Sequence, residues 1–132
     1  MRCVAYVRTA NRKNKDASLL IQTEMIKAYI AQNNWQLDSI YTDIGSGIGM
    51  NKNLLKMIED AQQEKIDVII ASDPSRISRK YSDLSNILGK LCESNKVHII
   101  TVDNQINTIL NDNDNIIMLN HHAYVHEHEA RQ

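Results

Sequence analysis

Seven cationic side chains of this 132-residue chain fall into two short segments: Arg8, Arg12, Lys13 and Lys15, then Arg76, Arg79 and Lys80. Arginine in such a cluster suits phosphate, because its planar guanidinium offers paired N–H donors to two oxygens at once. The chain as a whole is not basic: 15 Lys and Arg stand against 16 Asp and Glu, a net charge of −1. A free-standing nucleic-acid binder usually carries a basic excess, since neutralised phosphates supply most of its affinity. The distribution points to a local anion site rather than a broad basic surface. Taken singly, Arg76 and Arg79 are ordinary solvated charges, and only their placement gives them weight.

Histidines form the other group with chemical potential. His121, His122, His126 and His128 crowd the end of the chain, and on a helix His122 and His126 would lie one turn apart. No third ligand is assured, and the spacing is not that of a His-Glu-x-x-His zinc motif. The tail reads as a solvated helix face or dimer surface, with no metal.

The elements that must position the cations follow from periodicity. Residues 2–8 read as a short buried strand, with a polar loop over 9–17. Ser18 is the expected N-cap of a helix in which Leu19, Gln22, Ile26, Tyr29 and Ile30 keep helical spacing to about Asn33. Gln36–Thr42 sets Leu37, Ser39 and Tyr41 against Asp38 and Ile40 as a second strand. A Gly-rich loop over 43–49 precedes a second helix marked by Leu54, Leu55, Ile58 and Ala61. Ile66–Ala71 is the strongest strand, of the kind buried on both faces, and Asp73-Pro74 stops it. Leu84, Ile87, Leu88 and Leu91 form one face of a third helix, and Val97–Val102 is a fourth strand. Strands alternating with helices predict an α/β fold, a mostly parallel sheet with helices on both faces. Ligands of such sheets gather at the carboxyl ends of strands, and both cationic segments follow strands there.

At this length the chain is expected to form one domain whose core needs neither disulfide nor metal. Cys3 and Cys92 lie in apolar stretches at unrelated spacing and read as reduced core residues. No apolar run is long enough to cross a bilayer, and no basic-then-apolar leader opens the chain. The expected location is the cytoplasm, with no membrane partner.

Four blocks, in order on this alternation, resemble the catalytic domain of the serine recombinases, the resolvases, invertases and their larger relatives. They are Tyr6-Val7-Arg8, Ser18-Leu19-Leu20-Ile21-Gln22, Tyr41-Thr42-Asp43-Ile44-Gly45-Ser46-Gly47 and Arg76-Ile77-Ser78-Arg79. The resemblance covers roughly residues 1–108. It makes 109–132 the start of a dimerisation-type helix, with no DNA-binding domain in the chain. It implies a resolvase-like three-layer domain that exchanges DNA strands through a phosphoserine intermediate, without metal or cofactor. Arginines in that family stabilise charge on the phosphoryl oxygens, and Arg8, Arg76 and Arg79 match them. The resemblance also implies that Asp43 orients this network, pairing with one arginine, while Tyr6, Gln22 and Ser46 support it. All should converge near position 10 at the carboxyl edge of the sheet.

Three positions depart from the family. Ala10 stands where the nucleophilic serine would be, as the chain's own residue or as an inactivating replacement. Thr9 cannot simply stand in, because adjacent strand residues point to opposite faces. Asn51 lies near where relatives carry an arginine, and Ser75 replaces an aspartate before Arg76. The loop ahead of Ser18 is also longer than in small resolvases. These departures imply a degenerate copy unable to cleave DNA. It would touch DNA weakly through its phosphate backbone and pair with itself or with another recombinase. Two alternatives stand beside this: a regulatory or dimerisation partner of an active recombinase, and a phosphate- or nucleotide-binding module built on the three arginines.

Overall fold

Cys3–Thr9 are all buried, which places β1 (Arg2–Thr9) inside the sheet of the computed structural model. The structure describes residues 1–10, 13–46, 51–94 and 96–110. Flanking β1 are β2 (Gln36–Ile44) and β3 (Val68–Ala71), with β4 (His98–Thr101) beyond β3. The order is β2-β1-β3-β4 and every pairing is parallel. Both β1 and β2 run past their expected ends, to Thr9 and Ile44. Ile66 is buried just ahead of β3 rather than in it.

One expectation about β2 fails. Leu37 was to share a face with Ser39 and Tyr41, but a register shift between Cys3 and Val4 pairs Cys3 with Leu37 and Val4 with Ser39. Asp38 is the extra residue, so Leu37 turns to the opposite face. Leu37 packs with Cys3, Ala5 and Val7, while Tyr41 packs with Val4 and Tyr6.

The helices cover both faces. On one, α1 (Lys15–Gln32) sets Ile26 and Ile30 against Cys3, Ala5, Val7 and Ile70. On the other, α2 (Lys52–Gln62) and α4 (Tyr81–Leu88) set Leu54, Met57, Leu84 and Leu88 against Val4, Tyr6 and Ile69. Each such side chain contributes about 1.5–3 kcal/mol by leaving water. Leu91 extends the apolar face of α4 into a π-helical turn, Gly89–Ser94. Cys3 is buried as expected, whereas Cys92 is only half-buried at the rim of this core, and both are reduced.

Helix α1 begins one turn before the expected cap. Ser18 N–H donates to Asn14 C=O at 3.0 Å, so Ser18 lies within the helix and Asn14 occupies the cap position. The extra residues of the loop before Ser18 are thus partly helical. After β4 the chain turns back, and Asn107 and Thr108 run antiparallel beside Ile100 and Ile99. Expectations for Arg12, Gly47, the final helix and the histidine tail lie outside the described residues. No helix among the described residues is long and apolar enough to cross a membrane.

Candidate functional site

Strand order reverses between β1 and β3, and Arg8 and Arg76 meet beyond the ends of those two strands. Arg8, at the end of β1, is 0% exposed. Its Nε donates to Arg76 C=O at 3.0 Å, Nη1 to Gly45 C=O at 2.9 Å and Nη2 to Ser75 C=O at 2.6 Å. One guanidinium thus ties the ends of three strands together, and the carbonyl dipoles stand in for a counterion. Burial lowers the Arg8 pKa, and the nearby positive charge of Arg79 lowers it further. The site carries an excess of positive charge.

Arg76 sits on the one-turn helix α3 (Pro74–Ile77) and donates from Nη1 to Arg8 C=O at 3.0 Å. Its Nε lies 3.6 Å from Asp73 Oδ2 and is buried without a hydrogen bond. Arg79 does not continue that helix. Ser78 is extended (φ −159°, ψ 141°), so Arg76 and Arg79, three residues apart, do not share a helix face. Arg79 is half-buried beyond it and joins the site through its charge.

Gln22 reaches from α1 to the backbone of Arg8. Its Oε1 accepts Arg8 N–H at 3.1 Å, and its Nε2 donates to Arg8 C=O at 2.9 Å and Ser18 Oγ at 3.2 Å. Pairing of β1 with β3 ends at Ala5, so this side-chain amide replaces the missing strand beside Arg8.

Among the described residues Asp43 pairs with no arginine, contrary to expectation. It accepts Tyr6 O–H at 2.7 Å, Asn53 N–H at 3.0 Å and Leu54 N–H at 2.8 Å. The unpaired amides and positive dipole end of α2 attract it instead, in the role of an N-cap carboxylate. Burial, then the bond to Asp43, pushes the Tyr6 phenol far above its usual range. Tyr41, register partner of Tyr6, donates to Asp60 Oδ2 at 2.7 Å, so buried Tyr6, through Asp43, and half-buried Tyr41 hold the two ends of α2. Asn51 Nδ2 donates to Ser46 C=O at 2.8 Å, and a Cβ on Gly45 would come within 2.5 Å of Asn51 Oδ1. A larger residue there would require the Asn51 side chain to move away from the carbonyl that Arg8 holds.

Ala10 is exposed just past β1, whereas Thr9 is buried at 3% exposure. Beside this edge lies a cleft of about 570 Å³ bounded in part by Ser18, Gln22, Ser72, Asp73, Arg76 and Asp103. It could admit an anion to Arg76. No group of three or more potential metal ligands occurs among the described residues. Reading the sequence missed Asp73, Gly45 and the backbone of Ser75 as parts of the site. Asp73 had a signal: Asp before Pro, with Ser two residues on, is a helix-start pattern.

Comparison with known proteins agrees with this fold. The family model described as Resolvase, N terminal domain, matches residues 3–132. No curated protein matches the chain. The N-terminal catalytic domain of TP901-1 integrase superposes with a TM-score of 0.80 at 21% identity, covering 100% of both chains. A resolvase family site-specific recombinase from Streptococcus pneumoniae gives 0.76 at 22% identity, covering 99% of this chain and 91% of that one. The first ORF of transposon ISC1904 from Sulfolobus solfataricus P2 gives 0.63 at 24% identity, over 77% of this chain and 67% of that one.

Proposed function

The chain belongs to the resolvase N-terminal domain family, and from that premise we propose that it holds a DNA backbone phosphate at Arg76 and Arg79, with Arg8 buried behind them, but cannot cut the strand. One observation carries this reading: position 10, exposed two residues past Arg8, bears a methyl group. Strand cleavage needs an oxygen nucleophile to attack phosphorus and form the phosphoserine link, and alanine has none. Thr9 supplies no replacement, because it is buried on the neighbouring position.

Arg76 and Arg79 would neutralise phosphoryl oxygens, while Arg8 fixes the backbone that presents them. Contact would be weak and without sequence preference, since a local cluster displaces few counterions. Pairing with a second copy, or with an active recombinase that this chain regulates, is the partner reading that fits a non-cleaving member. A phosphate- or nucleotide-binding role is a second reading, favoured by the cleft at the strand-order reversal.

The test is a salt titration of affinity for a labelled DNA duplex by fluorescence anisotropy. Wild type should bind weakly, with affinity falling as salt rises in proportion to the few phosphates contacted, and Arg76→Ala with Arg79→Ala should abolish binding. Unchanged binding in that double variant would remove the phosphate site. Tighter binding of a nucleoside triphosphate than of DNA would favour the second reading.

A further inference from the structure

We infer that Asp73 is the positioning residue for Arg76, and that it sets the plane in which the Arg76 guanidinium meets a phosphate. The inference rests on the phosphate-site reading above. Asp73 divides its carboxylate between two tasks. Oδ1 accepts Ser75 N–H at 3.0 Å and also the Ser75 hydroxyl, which caps α3. Oδ2 accepts Ser72 O–H at 3.3 Å and lies 3.6 Å from Arg76 Nε.

Arg76 therefore has two anchors of opposite kind. Nη1 is bound to the Arg8 carbonyl, and Nε is held by charge alone, since it has no hydrogen bond. Two attachments on one guanidinium fix its orientation as well as its position. The remaining N–H groups are left for a ligand, and both Asp73 and Arg76 border the cleft. Ser75 leaves no carboxylate immediately before Arg76, and Asp73 supplies one from two residues earlier.

A cap and a positioning charge can be separated, because asparagine caps helices about as well as aspartate but carries no charge. Asp73→Asn should keep the wild-type unfolding midpoint while losing the hold on Arg76. The salt titration of DNA affinity then discriminates. Each phosphate contact contributes about 0.9 to the slope of log affinity against log salt. If Asp73 positions Arg76, the Asp73→Asn slope falls toward that of Arg76→Ala, by up to about one contact. If Asp73 is merely a negative charge near the phosphate, its removal raises affinity and leaves the slope intact, which overturns the inference. An unfolded Asp73→Asn protein would also overturn it, since the carboxylate would then be structural. An Arg76→Ala slope equal to wild type would instead sink the phosphate-site reading itself.

Discussion

Arg8 and Arg76 hold each other by their backbones: Arg8 Nε donates to Arg76 C=O, Arg76 Nη1 donates to Arg8 C=O, and both distances are 3.0 Å. Two like charges repel, yet here each guanidinium lies against the other residue's carbonyl dipole. The exchange locks the end of β1 to α3, so the positive site is assembled before any anion arrives. Such preorganisation is what makes fixed donors effective toward developing charge.

Replacing Arg8 should therefore damage the fold as well as the site. Arg8→Ala removes donors to three carbonyls and leaves a cavity at a fully buried position. Denaturant unfolding should show a loss of about 2–4 kcal/mol. A loss below about 1 kcal/mol would mean that the three bonds hold nothing together.

Tyr6 and Asp43 should be energetically coupled through α2. Tyr6→Phe loses one hydrogen bond, an expected cost of about 1 kcal/mol. Asp43→Ala loses that bond and two at the start of α2, an expected cost of about 2–4 kcal/mol. The double variant should cost less than the sum, and strict additivity would contradict the shared carboxylate.

Stability should fall at both ends of the pH range, for opposite reasons. Bonds from the Arg2 side chain and backbone hold Asp67 down at about 2, from an ordinary 3.8. A depressed carboxylate stabilises above its unfolded pKa, and that contribution fades as pH drops from about 4 to 2. Both partners are largely exposed, so solvent screening keeps that contribution small. Burial, then the bond to Asp60, pushes Tyr41 up to about 12 from 10. Folding favours its neutral form, so that contribution is lost as pH rises from about 10 to 12. Unfolding midpoints across pH should show both declines. Asp67→Asn should flatten the acid side and Tyr41→Phe the alkaline side, and unchanged profiles would refute the assignments.

The parts of the fold legible in the sequence were those set by local pattern. The run through Ile69 and Ile70 and the spacing of Leu84, Ile87, Leu88 and Leu91 depend on period alone, and all are buried. Contacts between distant segments were harder to read. The bulge at Asp38 leaves no local mark, yet it turns Leu37 to the other face. Asp43 meets amides ten and eleven residues later, and those donors become visible only once α2 packs beside β2. The arginines could be chosen by residue type and strand position, but not the carbonyls they would bind. Ser18 looked like a cap because it precedes the apolar spacing, although the helix had begun at Lys15.

A suicide-substrate cleavage assay tests the account most directly, with covalent protein–DNA adducts resolved on denaturing gels. The unaltered chain should form none, because Ala10 offers phosphorus no nucleophile. Ala10→Ser should recover little, since Asn51 and Ser75 leave the phosphate less well stabilised, and one lost transition-state donor commonly costs on the order of a hundredfold or more. A robust adduct from the unaltered chain would contradict the account.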